Sequence, residues 1–221
     1  METGLAILDL DMTLLDTLRA FHRVYNEALQ TLCGRSLGWE EFVDCFCRDM
    51  LSEKAASFGC RPREVWRLFK EGYLPRREET KPYPGVRGVL SWLRDQGYRV
   101  VIATGRGTGE EHIWRELGWV GLEGYVSAVY TLSGDEGGGN LFSKARLLRR
   151  IVEEHGSPGR VFFVGDYWLD MVSGRRAGIY TVGVETGCKK RTLLLYSGAN
   201  AVVEGIWLLP FTLTVPSCVK S

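Results

Sequence analysis

The stretch AILDLDMTLLDT, residues 6–17, joins a near-continuous apolar run to two carboxylates, Asp9 and Asp11. The apolar run reads as a buried strand. In a strand, residues i and i+2 point the same way. Two carboxylates side by side repel each other and lose hydration on burial. A fold keeps such a pair where something cationic sits beside it.

Working outward, further strand patterns alternate with helical ones, the signature of a parallel α/β sheet. The strand candidates are residues 5–10, 99–105, 125–131, 161–166, 180–184 and 199–204. Several are continuous apolar runs, as expected of strands covered on both faces. An amphipathic helix over 85–96 follows the Pro84-Gly85 turn and ends near Gly97. Residues 17–80 break the alternation. Leu14, Leu18, Phe21, Val24, Tyr25, Ala28, Leu29 and Leu32 recur at helical spacing, and helical segments follow at 39–50, 51–57 and 62–73. This reads as an all-helical insert after the first strand. The charged, proline-containing run LPRREETKPYPG (74–85) returns the chain to the sheet. The glycine-rich GDEGGGN (134–140) fits no phosphate-loop template and reads as a flexible loop.

Bulk composition narrows the function classes. The chain has 221 residues, 45% of them apolar, enough for a substantial core and a smaller insert. Lys plus Arg total 28 against 27 Asp plus Glu, so no basic footprint for nucleic acid exists. The run IWLLPFTLTVP (206–216) is interrupted by proline and shorter than the ~20 residues a bilayer crossing takes. It reads as a final packed segment, with no membrane role. Cys33, Cys45, Cys47, Cys60, Cys188 and Cys218 form no C-x-x-C pair. With no signal peptide evident, they are expected to be free thiols in a cytoplasmic protein.

Chemistry gathers where strands stop. In open α/β sheets, ligands bind beyond the carboxyl ends of the strands. The first strand ends in Asp9-Leu10-Asp11 and the second in Thr104-Gly105. The fourth ends in Gly165-Asp166, with Asp170 four residues on. A cluster of hard carboxylate oxygens suits Mg²⁺. Lys144, opening a helix over 144–154, offers charge against a phosphate. The Thr104 hydroxyl and the amides of Gly105 and Arg106 offer hydrogen bonds to one.

Asp9-Leu10-Asp11-Met12-Thr13, Thr104, Lys144 and Gly165-Asp166-x-x-x-Asp170 resemble, in order, the four motifs of the haloacid dehalogenase superfamily of hydrolases. PYPGV (82–86) and TVGVETG (181–187) resemble its phosphoglycolate-phosphatase-like branch. The resemblance implies a Rossmann-like core of residues 1–16 and 81–221, with helices on both faces of a parallel sheet. It makes the helical insert, 17–80, a small cap. It also implies a mechanism. Asp9 attacks phosphorus to form an aspartyl phosphate, and Asp11 protonates the leaving group, then activates water. Mg²⁺ is held by Asp9, the Asp11 backbone carbonyl and Asp166. Asp170 binds it through water or orients Asp166. Thr104, Gly105 and Lys144 stabilise the transferring phosphoryl group. Met12 stands where relatives commonly have glycine, which tolerates backbone conformations that methionine does not.

The expected substrate is a small phosphorylated metabolite, phosphoglycolate being one candidate, and the oligomeric state is open. Two other readings stand beside the phosphatase: a phosphomutase on the same core, and a non-catalytic binding module that keeps the fold. Asp11, Asp166 and Asp170 argue against dehalogenation, which needs neither a proton donor at Asp11 nor a metal. His22, His112 and His155 lack ligand spacing. Trp168 either walls the site or packs on the next helix. Lys189-Lys190-Arg191 either attracts anionic substrate or forms a solvated surface.

Overall fold

The six sheet strands alternate their side chains between two apolar layers. A computed structural model describes residues 4–132 and 143–214. Its strands are β1 (Gly4–Leu8), β4 (Tyr98–Thr104), β5 (Ala128–Thr131), β6 (Arg160–Gly165), β7 (Tyr180–Val184) and β8 (Ala201–Val203). All pair in parallel, in the order β5-β4-β1-β6-β7-β8. Leu5, Ile7, Val101, Ala103 and Phe163 meet Leu147, Leu148 and Ile151 of α7 (Ala145–Glu154) on one face. Ala6, Leu8, Val100, Ile102, Phe162 and Val164 face the other way. They pack on α5 (Val86–Asp95) and α6 (Glu110–Trp119). The period of two in the sequence thus becomes two buried layers, as a doubly covered sheet requires. Each expected strand is present, within three residues at either end. β1 stops at Leu8, so Asp9 and Asp11 lie past the strand rather than within it.

Four helices fill the interval between β1 and the return of the chain: α1 (Leu18–Cys33), α2 (Trp39–Cys47), α3 (Leu51–Ser57) and α4 (Pro62–Gly72). They bury an apolar cluster of their own, including Val24, Tyr25, Leu29, Phe42, Val65 and Phe69. Leu14, grouped with this pattern in the sequence, instead belongs to the sheet's core. A two-residue antiparallel ladder, β2 (Leu15–Asp16) with β3 (Lys81–Pro82), clamps the two points where the chain leaves and re-enters the sheet layer. It was not legible in the sequence, because two residues carry no period.

Two cysteine pairs correct the free-thiol expectation. Cys33 joins Cys60 within the four-helix segment, and Cys47 joins Cys188, tying α2 to the loop after β7. Cys45 is free and buried. The C-terminal run packs in part: Ile206 and Leu209 are fully buried, Phe211 is exposed, and residues 215–216 lie outside the described residues, which end with α10 (Leu209–Thr214). Cys218 and the GDEGGGN loop lie outside the described residues.

Candidate active site

Register brings the motif residues together. β1 lies between β4 and β6, with Leu8 opposite both Ile102 and Val164. The residues that follow these strands therefore share one rim. The Asp9 amide donates to the Val164 carbonyl at 2.9 Å, extending the ladder by one bond into the site. α8 (Trp168–Ala177) follows β6 and carries Asp170 in its first turn.

Asp9, Asp166 and Asp170 are all buried, and one carboxylate oxygen from each lies within 4.8 Å of the others. Lys144, at the N-cap of α7 rather than inside it, bridges two of them. Its Nζ sits 2.7 Å from Asp9 Oδ1 and 2.8 Å from Asp170 Oδ1. The Thr13 hydroxyl donates to Asp166 Oδ1 at 3.1 Å. Asp170 Oδ2 accepts the Tyr167 amide at 3.3 Å. Burial pushes the Asp9 carboxyl well above its ordinary range; Lys144 opposes this, and Asp170 and Asp11 add to it. Asp166 is raised by burial and then by the charges of Asp9 and Asp170. Burial lowers Lys144, but Asp170 and Asp9 outweigh it and keep the ammonium charged.

Glycine makes room for this cluster. A Cβ on Gly165 would lie 2.6 Å from Asp170 Oδ2, and one on Gly187 would run into the Asp166 carboxylate. Three carboxylates facing one ammonium leave a buried surplus of negative charge. A divalent ion with hard-oxygen preference cancels it, so the donor set fits Mg²⁺.

The Asp11 carboxylate turns to a cation of its own. Arg106 grips its carboxylate with two bonds, Nη2 to Oδ1 at 2.7 Å and Nε to Oδ2 at 2.8 Å. Thr17 donates to Oδ1 at 2.6 Å and Tyr73, at the end of α4, at 3.2 Å. Burial pushes Asp11 up, but Arg106 and then these hydroxyls hold it below its usual value. The outer nitrogen of Arg106 bonds Glu116 Oε1 at 2.5 Å. Paired carboxylates thus persist because they are given to two different cations. Met12 turns the chain immediately after Asp11 with φ +56°, the left-handed region that favours glycine.

Thr104 is buried at the end of β4, and its hydroxyl accepts the Arg106 amide at 3.3 Å. Gly105 and Arg106 line a cavity of about 820 Å³ with Asp9, Asp11, Lys144, Asp166 and Asp170. The four-helix segment roofs it. Tyr167 lines it; Trp168 does not, and instead donates to Asp49 Oδ2 at 2.9 Å. Lys189 is buried. Its three donors reach the Phe46 carbonyl at 2.6 Å, the Cys47 carbonyl at 3.3 Å and Asp49 Oδ1 at 2.8 Å. It clasps the helical segment and is not a free collector of anions. None of the three histidines lines the cavity.

Sequence reasoning gave no role to Thr13, Thr17, Tyr73, the Arg106 side chain or Glu116. Arg106 carried a weak signal, standing two residues past a strand-end threonine. Tyr73 carried none, because it meets Asp11 across 62 residues of chain.

The family model for "Haloacid dehalogenase-like hydrolase" matches residues 6–184. The chain belongs to the haloacid dehalogenase-like hydrolases. A phosphoglycolate phosphatase of Pseudomonas putida is 29% identical over 120 residues, a match covering 54% of this chain and 43% of that one. This chain therefore aligns with less than half the length of that relative. A phosphoglycolate phosphatase of Pseudomonas fluorescens is 24% identical, over 98% of this chain and 80% of its own. Among solved structures, a "predicted phosphatase" from Clostridium acetobutylicum superposes with a TM-score of 0.75 at 19% identity, covering 96% of this chain and 99% of that one. A "putative beta-phosphoglucomutase" from Thermotoga maritima gives 0.58 at 21%, covering 96% and 98%. At these identities the superpositions speak for the fold.

Proposed function

We propose that this hydrolase is a Mg²⁺-dependent phosphatase that cleaves a small phosphate monoester through an aspartyl phosphate on Asp9. One observation carries the reading. Asp9, Asp166, Asp170 and Lys144 form a buried knot on the floor of a roofed cavity, next to a second carboxylate with its own hydroxyl and guanidinium partners. Relatives named phosphoglycolate phosphatases support it.

Asp9 and Asp166, with the Asp11 carbonyl, would hold the ion, and Asp170 would orient its neighbours through Lys144 and the Tyr167 amide. When bound, the ion shields the charge of the phosphate and keeps Asp9 ionised. An Asp9 oxygen attacks phosphorus, the ester bond to the leaving oxygen breaks, and a proton from Asp11 completes the alcohol. Lys144, the Thr104 hydroxyl and the Gly105 amide hold the phosphoryl oxygens. In the second step Asp11, ionised, takes a proton from the water that attacks phosphorus; the bond from the Asp9 oxygen to phosphorus breaks, freeing inorganic phosphate and restoring the Asp9 carboxylate. The grip of Arg106 holds Asp11 ionised between the two steps, and both proton donation and proton uptake require an oxygen released from Arg106. Residues 17–80 serve as a cap that expels water, with β2 and β3 as its stems.

The enzyme is assigned to the cytoplasm. No helix among the described residues is long and apolar enough to cross a membrane. The two cysteine pairs weigh against this location, since disulfides are rare in cytosolic proteins; a thiol count on protein alkylated during lysis, with and without reductant, tests it. The deciding assay is release of inorganic phosphate from a panel of monoesters, with and without Mg²⁺. Asp9→Asn should keep the fold and lose roughly 10⁴-fold or more in kcat. A mutase would isomerise a sugar phosphate without releasing phosphate, and a binding module would do neither.

A further inference from the structure

The roof of the cavity carries a run of aromatic rings, with Arg63, Arg67 and Lys70 beside it. Phe21, Phe46, Trp66, Phe69 and Tyr73 line it together with Tyr167 from the sheet side. Their rings form one continuous wall: Phe21 to Phe69 at 4.3 Å between centroids, Phe69 to Tyr73 at 4.8 Å, Phe21 to Phe46 at 5.2 Å and Trp66 to Phe69 at 5.5 Å. Phe69 and Tyr73 are buried, whereas Phe21, Phe46 and Trp66 are only half-buried and keep surface towards the cavity. The wall reaches the chemistry directly, since the Tyr73 hydroxyl bonds Asp11.

Size and chemistry agree. A volume of about 820 Å³ lies within the roughly 300–1,000 Å³ of pockets that take drug-sized ligands. A two-carbon carboxylate leaving group, even paired with a lining cation such as Lys70, would leave most of it unfilled and the aromatic rings uncovered. Aromatic walls instead favour a flat ring, stacked or edge-on.

We propose that the substrates are alkyl phosphate monoesters whose leaving group carries a flat aromatic or heteroaromatic ring, held between the aromatic face of residues 17–80 and Tyr167. This deepens the phosphatase reading and rests on it. The phosphoryl group meets Asp9 and Lys144, and the ring fills the space under Phe21, Phe46 and Trp66.

The test compares esters with the same kind of scissile bond. Uridine 5′-monophosphate and pyridoxal 5′-phosphate should exceed phosphoglycolate and glycerol phosphate in kcat/KM by about tenfold or more. Phe46→Ala should cut that preference about tenfold, mainly through KM of the ring esters, and Phe46→Leu should cut it less. Calorimetric titration of Asp9→Asn with the two ring esters reads binding apart from turnover. Mg²⁺-dependent turnover that favours phosphoglycolate overturns this inference and leaves the phosphatase reading standing. Saturable binding of the ring esters with no phosphate released from any ester upholds the pocket and sinks the phosphatase reading. Absence of saturable binding overturns the inference whatever the turnover.

Discussion

At the scale of single residues, the site depends on side chains that are missing as much as on those present. Gly187 leaves space for the Asp166 carboxylate. Gly187→Ala should displace Asp166 and weaken Mg²⁺ binding roughly 10- to 100-fold, as losses of support around a metal site do; equilibrium dialysis on the folded variant measures it. Met12 poses the opposite case. Its left-handed backbone costs about 1–2 kcal/mol relative to glycine. Its side chain is 3% exposed, and removing such a buried chain costs about 2–5 kcal/mol. Met12→Gly should therefore lower stability by roughly 1–3 kcal/mol in a denaturant titration, despite the relieved turn. The motif aspartates, Lys144 and Thr104 were legible because each stands at a strand or helix end, where chemistry has an address. Arg106 and Tyr73 were not: nothing local marks an arginine that turns inward or a tyrosine that meets its partner from another element.

Among elements, the strands were the most legible, since two-sided burial writes continuous apolar runs. α6 was the least. Only Ile113 and Leu117 of its apolar residues are fully buried, and Glu116, equally buried, breaks the pattern to meet Arg106. One tie lies within the helical segment and another joins it to the sheet layer. Arg23 of α1 grips Glu79 with Nε to Oε1 at 2.7 Å and Nη2 to Oε2 at 2.9 Å. Burial raises the Glu79 carboxyl, but the Arg23 bonds outweigh it and the folded value falls below 4.5. The unfolded chain then binds more protons than the native one in that window. The pair's contribution, about 1 kcal/mol after solvent screening, is complete above pH 4.5 and is lost as pH falls through the folded value. In Glu79→Gln this acid-side loss of stability should shrink. On the other edge, Cys47–Cys188 and Lys189 join α2 to the sheet layer. Cys188→Ser should lower stability by about 2–4 kcal/mol and speed amide exchange in α2, because the link closes a loop of 141 residues.

For the whole molecule, the sheet supplies the carboxylate floor of the cavity and the inserted helices supply its roof. That division was readable from where the apolar period changes, after Asp16. The cavity between them was not readable, because one sequence does not tell which aromatic side chains face a ligand and which face each other. The proposed chemistry stands on transient phosphorylation of Asp9 in a site charged by a divalent ion. Acid quench during turnover of a monoester with Mg²⁺, followed by peptide mass spectrometry, tests it most directly. One phosphoryl group should appear on the peptide containing Asp9, and should vanish with chelator or in Asp9→Asn. A label on another residue, or undiminished turnover in Asp9→Asn, would contradict it.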